Sequence, residues 1–128
     1  MFGTYQQSDL RIEIAASAEQ IGNSLLERSQ LKQWLWPQRI KFPDSSQLLL
    51  SAGQSFETGL GPVTTTHRVD LLAPAGVRFL LSGSIDGYHE WQWGEGWVQS
   101  RLEGISLLPL NLGQTANLFR LKQHLQDL

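Results

Sequence analysis

Residues 88–97, YHEWQWGEGW, contain three of the five tryptophans of the chain. If the first part of this segment forms a strand, His89, Trp91 and Trp93 point to one face, because side chains alternate along a strand. The GEG sequence that follows is typical of a tight turn, so Trp97 begins a return strand. The segment therefore predicts an antiparallel hairpin with an aromatic inner face, in which Trp93 and Trp97 are cross-strand neighbours.

The strand that begins at Trp97 raises a question of register. If Trp97 faces inward, Arg101 and Glu103 share its face and both charges need partners in the core. A bulge near Gly104 or Ser100 is expected instead, because an extra residue changes which side chains point inward. With that bulge, Val98 and Leu102 face the core.

Turn signals on both sides of the hairpin separate further runs of strand-forming residues, from Arg39 onward. The connections between the runs are short, so consecutive strands are expected to pair antiparallel in a meander. The strands predicted in this way cover residues 47–51, 54–58, 63–72, 77–84, 88–93 and 97–106.

The N-terminal part of the chain combines a strand with a helix. Leu10, Ile12 and Ile14 alternate with charged residues, which predicts a half-buried strand. The sequence SAEQ at residues 17–20 is a capping box, in which a serine and a glutamine side chain satisfy backbone N–H groups at the start of a helix. This helix is expected to break in two near residues 28–30.

The C-terminal part predicts a long amphipathic helix. Leu118, Leu121, Leu125 and Leu128 recur at spacings of three and four, and Asn111 resembles an N-cap. An apolar helix face of this length needs a sheet to cover it. The predicted fold class is therefore α+β: a curved antiparallel sheet against a C-terminal helix, with a broken helix between the first and second strands.

The composition limits the classes of function. A chain of 128 residues suits one domain, expected to span residues 1–128. There is no cysteine, and the net charge of −2 comes without a basic stripe, so nucleic acid is not an expected partner. The N-terminus does not resemble a signal peptide, and no run approaches the ~20 apolar residues that span a bilayer. A soluble, cytoplasmic protein without stable membrane insertion is the expectation.

Three short segments and the terminal leucine helix occur in an order that resembles the START-related superfamily. The segments are SAEQI (17–21), LKQWL (31–35) and AGQSF (52–56). This superfamily includes the birch pollen allergen, the polyketide cyclase/dehydrase and lipid-transport group, and activators of the heat-shock chaperone ATPase. The resemblance implies a helix-grip fold, in which the sheet wraps the C-terminal helix around a cavity. In many relatives the cavity holds lipids, sterols or polyketides, and no catalytic motif is common to them all.

Candidate site residues follow from the strand faces. His67 shares a face with Val63, Thr65 and Val69, so its side chain is expected to point into the cavity. The tryptophans of the hairpin have three interpretations: they fill the core, they line a ligand site, or they form an exposed platform for a partner. The predicted ligand wall consists of Phe56, His67, Phe79, Trp91, Trp93, Leu118 and Leu121.

Three functional hypotheses remain open on the sequence alone. The first is binding of an apolar small molecule, such as a lipid, polyketide, pigment or isoprenoid, between sheet and helix. The second is a cyclase or dehydratase type of enzyme that uses His67 or His89 for acid–base chemistry. The third is a protein-interaction module without a ligand, with a protein as its partner. No cofactor or metal is expected, because no zinc-binding spacing or phosphate-binding loop is found.

Overall fold

The computed structural model of the protein describes residues 3–43 and 47–128. The elements along the described chain are β1 (Thr4–Glu13), α1 (Ala18–Leu26), α2 (Arg28–Trp34), β2 (Arg39–Lys41), β3 (Ser55–Leu60), β4 (Val63–Ala73), β5 (Gly76–Gly83), β6 (Asp86–Gly94), β7 (Trp97–Ser106) and α3 (Leu110–Gln126).

The strands form a seven-stranded antiparallel sheet in the order β1-β7-β6-β5-β4-β3-β2. Helix α3 packs against β1 and β7 and also contacts α1 and α2. Apolar side chains of the inner sheet face and of the three helices form one buried cluster. The predicted α+β class, with a curved antiparallel sheet and a C-terminal helix packed against it, is confirmed.

The start of α1 shows the predicted capping box. The Gln20 backbone N–H donates to Ser17 Oγ (3.1 Å), and the Ser17 N–H donates to Gln20 Oε1 (3.0 Å). One turn later, Gly22 lies against Trp93 of β6, where a Cβ atom would come within 3.0 Å of the indole Nε1. The glycine that lowers the helix propensity of α1 therefore permits close packing of the helix on the sheet.

The predicted break between α1 and α2 is confirmed, at Glu27 rather than at residues 28–30. Glu27 has an extended backbone (φ −79°, ψ 125°) and forms an isolated β-bridge with Leu49. The strand predicted over residues 47–51 is wrong, because this stretch pairs at Leu49 with the helix break and not with the sheet. The position beside β3 belongs to β2 instead.

The hairpin of β6 and β7 differs from its prediction on one strand. His89, Trp91 and Trp93 of β6 are buried, as predicted. Strand β7 pairs with β6 without a bulge, with Trp93 opposite Val98. Val98 faces the core, so Trp97 points to the outer face, and the predicted pairing of Trp93 with Trp97 is wrong.

The outward position of Trp97 is supported by two neighbours. The guanidinium of Arg11 lies 4.1 Å from the centroid of the indole ring. The indole also covers Gly94, where a Cβ atom would lie 2.5 Å from Trp97 Nε1. A glycine directly opposite therefore makes room for the ring on the solvent side of the sheet.

Helix α3 begins at Leu110, and Pro109 is its N-cap without a side-chain hydrogen bond, so the predicted cap at Asn111 is wrong. Leu128 lies beyond the end of the helix and is exposed. Neither α3 nor the shorter helices of the described chain have the length and hydropathy of a bilayer-spanning segment. The buried side of α3 consists of Leu110, Gln114, Leu118, Leu121 and Leu125.

Candidate functional site

A cavity of about 320 Å³ lies between the first turns of α3 and the inner face of β3 to β7. The loop after α2 closes one side of it, where Gln38 Nε2 donates to Asn117 Oδ1 of α3 (3.0 Å). Leu60, Leu108 and Pro109 form part of an exposed, apolar rim. The inner wall, in contrast, mixes leucine side chains with polar side chains that carry no charge.

His67 reaches this inner wall from β4, as its predicted face requires. Its Nε2 lies 2.9 Å from Thr58 Oγ1 on β3. The imidazole stacks on Phe56 (centroids 4.7 Å apart, 2° between planes) and meets Phe79 edge to face (6.2 Å, 88°). The ring is therefore held by three neighbours, and its remaining accessible surface faces the cavity.

A second polar group is centred on Ser100, which is fully buried. Gln114 Nε2 of α3 donates to Ser100 Oγ (3.0 Å), to the Ser100 carbonyl (2.9 Å) and to the Ser8 carbonyl (3.1 Å). Ser100 Oγ also lies 2.6 Å from His89 Nε2. Ser100 Oγ thus joins the ring of β6 to the side chain of α3, since a hydroxyl can accept from Gln114 and still form a second hydrogen bond with His89.

In the side-chain amide of Gln114, the NH₂ group has hydrogen-bond partners and the oxygen has none among the described residues. The residue is 1% exposed, and among the described residues its Oε1 has no hydrogen-bond partner. A buried acceptor without a donor costs about 1–3 kcal/mol. Gln114 contributes to the cavity wall, and its Oε1 atom itself has almost no accessible surface.

Both cavity histidines are uncharged at neutral pH. Burial lowers the pKa of His67 to about 4. Burial, together with the charge that His67 carries when protonated, lowers the pKa of His89 to about 3. Each ring therefore offers one N–H donor and one acceptor nitrogen, which suits recognition of a neutral polar group.

The structure brings four of the seven predicted wall residues close to the cavity. His67 lines it directly, and three more surround an adjoining void of about 40 Å³ together with His67: Phe56, Phe79 and Trp91. The remaining three are buried in the core and line neither space: Trp93, Leu118 and Leu121.

The sequence prediction missed all six wall residues that α3 contributes: Leu110, Gly113, Gln114, Ala116, Asn117 and Arg120. A signal for Gln114 exists, because it occupies the position between Leu110 and Leu118 on the buried stripe of the helix, where a leucine would continue the pattern. A polar residue on an otherwise apolar stripe indicates a specific partner.

A metal site finds no support in the geometry. Within residues 3–43 and 47–128, no three histidine or carboxylate side chains are grouped so that they could hold a metal ion. His67 and His89 are instead engaged with the hydroxyl groups of Thr58 and Ser100.

The His67→Gln variant is expected to fold at pH 7 and to lose less stability in acid than the parent protein. Between the usual pKa of 6.5 and about 4, the unfolded chain protonates this ring and the folded chain does not. The free energy of unfolding therefore falls as pH drops through this window, by about 1.4 kcal/mol per pH unit for each such histidine.

Urea unfolding at pH 7, 6 and 5 measures this difference. His89 still titrates in the variant, so the loss of stability toward acid is reduced by roughly half rather than abolished. An unchanged acid dependence contradicts the assigned ionisation of His67. A variant already unfolded at pH 7 shows that the ring is structural.

Solved structures share this fold at low sequence identity. A protein from Rhizobium loti matches with a TM-score of 0.78 over 100% of both chains at 10% identity. A protein from Chromobacterium violaceum matches with a TM-score of 0.74 over 93% of this chain and 96% of its own, at 17% identity. The Aha1 dimer from Colwellia psychrerythraea matches with a TM-score of 0.67 over 94% of this chain and 96% of its own, at 22% identity.

No protein-family model matches the chain, and comparison with curated proteins finds no match. The structural similarities therefore show the fold alone, and the resemblance to the START-related superfamily stays a prediction. The function is therefore inferred from the geometry of the cavity.

Proposed function

We propose that the protein binds a small, largely apolar molecule in the cavity between α3 and the sheet. The observation that carries this proposal is the cavity itself, which has a volume of about 320 Å³ and an uncharged, hydrogen-bonding inner wall. Ligand sites in proteins have this character: they measure about 300–1,000 Å³ and combine apolar surface with a few oriented polar groups.

The volume sets the size of the ligand. At about 30 Å³ for each water-sized group, the cavity accommodates roughly ten such groups. This favours a short-chain lipid, a small isoprenoid or a single polyketide ring over a lipid with two long chains. Apolar burial supplies the affinity at about 25 cal/mol per Å² removed from water. His67 is placed to receive a hydroxyl or carbonyl group of a ligand that carries one.

An acid–base enzyme is a weaker candidate for the same cavity. A general acid or base works best when its pKa lies near the working pH. Burial holds the pKa of His67 near 4 and that of His89 near 3, so neither ring is present as the imidazolium at neutral pH and each is only a weak base. The imidazoles are better suited to orienting a ligand than to transferring its protons.

Native mass spectrometry of the protein purified without added ligand tests the proposal directly. A retained apolar molecule, identified after extraction, supports binding and gives its chemical class. A clean mass, together with no change of tryptophan fluorescence on addition of apolar probes, contradicts it. A dimer in the same spectrum supports the protein partner of the third hypothesis, for which the dimeric Aha1 structure is the precedent in this fold.

A cavity-filling substitution at Gly113 separates binding from folding. Gly113 contributes to the wall, and a Cβ atom built there meets no other atom within 4 Å. The Gly113→Phe variant is therefore expected to fold and to lose at least 10-fold in affinity for apolar probes, because the ring occupies ligand volume.

The Gly113→Ala variant is the matched control. It is expected to bind as the parent protein does and to be more stable by about 0.5–1 kcal/mol, because alanine has a higher helix propensity than glycine. Thermal unfolding and probe titration measure the two effects separately. Unchanged probe binding in Gly113→Phe contradicts the location of the site.

A further inference from the structure

The cavity wall carries one charged side chain. Arg120 of α3 lines the cavity, and the wall contains no aspartate or glutamate. The two histidines of the wall are neutral, since burial lowers the pKa of both. Arg120 takes part in neither of the ion pairs formed among the described residues, which join Arg78 with Asp70 and Arg101 with Asp9.

Among the described residues, one hydrogen bond orients the guanidinium of Arg120 and leaves its other donors free to bind a ligand. Its Nη1 donates to the carbonyl oxygen of Trp36, in the loop that follows α2. One turn earlier on α3, Asn117 accepts a hydrogen bond from Gln38 of the same loop. The side chain is half-buried and lines the cavity, and the bond to Trp36 is the one side-chain hydrogen bond that it forms among the described residues, so most of the five N–H donors of the guanidinium have no protein partner there.

We propose that the ligand of this cavity is an apolar acid, whose carboxylate pairs with Arg120 at the rim while its chain extends toward His67. This inference rests on the proposed function and names the class of molecule. The planar guanidinium fits a carboxylate through two parallel hydrogen bonds, which adds geometry to the charge attraction.

The inner wall disfavours the opposite orientation of the ligand, in which the carboxylate lies deep in the cavity and the chain lies at the rim. A carboxylate placed beside His67, Thr58 and Ser84 would lose its hydration without meeting a cation. At the rim, Arg120 supplies the opposite charge and solvent remains close. The acid group therefore lies outward, and the neutral histidines receive the apolar chain or a hydroxyl or carbonyl group on it.

Isothermal titration with octanoate and 1-octanol tests the proposal, because the two molecules share a chain and differ in head-group charge. The parent protein is expected to bind octanoate about 10-fold more tightly than 1-octanol, as a charge-assisted, partly exposed pair allows. In Arg120→Gln the ratio of the two affinities is expected to fall to about one, because the charge that distinguishes the two head groups is gone. Raising the salt concentration reduces the preference in the parent protein.

Lys122→Gln is the matched control, since this cation lies on the same helix and does not line the cavity. It is expected to keep the full preference for octanoate. Circular dichroism verifies that both variants fold, and glutamine is a good helix former at either position.

The outcomes separate the two proposals. The assignment of the acid group is overturned if the parent protein binds 1-octanol as tightly as octanoate. It is also overturned if the preference for octanoate survives in Arg120→Gln. Either result leaves the cavity as a binding site. No binding of either molecule, together with a clean native mass, overturns both.

Discussion

The Leu121→Asp variant is expected to be unfolded at neutral pH and 25 °C. Leu121 lies near the middle of α3 and has no exposed surface. Removing a buried leucine side chain costs about 2–5 kcal/mol, and desolvation of the unpaired carboxylate adds several more. A domain of this kind has a total stability of about 5–15 kcal/mol, so the combined loss removes most or all of it.

Far-UV circular dichroism and thermal unfolding measure this result. Gln123→Asp is the matched control, because it introduces the same charge on the same helix at an exposed position. The control is expected to stay within about 1 kcal/mol of the parent protein, with a small loss from a negative charge near the helix C-terminus. A cooperative transition of Leu121→Asp close to that of the parent would contradict the packing of α3 on the sheet.

The sequence predicts those parts of the fold that depend on local patterns. Alternation placed His89, Trp91 and Trp93 inward, and the structure confirms it because the inner sheet face is the one that the helices cover. The capping box located the start of α1, since its hydrogen bonds join residues three apart. Such signals require no knowledge of distant contacts.

Strand β7 shows where local patterns fail. A tryptophan at its first position indicated an inward side chain, and a bulge was then needed to keep Arg101 out of the core. In the structure the parity is set by Val98 and Ser100, and Trp97 is stabilised outside by Arg11 of β1. The contact that stabilises the indole on the outer face is distant in sequence, so no window around residue 97 contains it.

The candidate site is less predictable than the fold for the same reason. Phe56 and His67 point inward by alternation, but which inward side chain faces open space depends on where α3 crosses the sheet. That crossing begins at Pro109, and it leaves Gly113 and Arg120 over the cavity while Leu118 and Leu121 fill the core. Helix periodicity identifies which side of α3 is buried, but it does not indicate where along the sheet each residue of the helix lies.

The Trp91→Ala variant is expected to lose about 3–5 kcal/mol of stability, the usual cost of truncating a core tryptophan. Trp91 is 4% exposed, lies tilted against His89 (centroids 4.6 Å apart) and meets Trp34 edge to face (6.3 Å, 82°). The side chain thus joins β6 to α2, and its removal leaves a cavity that the sheet cannot close. Urea unfolding at pH 7 measures the loss.

Trp97→Ala is the matched control, because it removes the same side chain from the outer face of the adjacent strand. Its loss is expected to be about 1 kcal/mol, from the cation–π contact with Arg11 and from partial burial. A loss below ~1 kcal/mol in Trp91→Ala, accompanied by loss of apolar probe binding, would place Trp91 in the ligand wall rather than in the core. A large loss of stability with retained probe binding, measured at a temperature where the variant is still folded, assigns the indole to the support behind His89. In that case the aromatic hairpin holds the wall in place, and selection of the ligand belongs to the polar side chains in front of it.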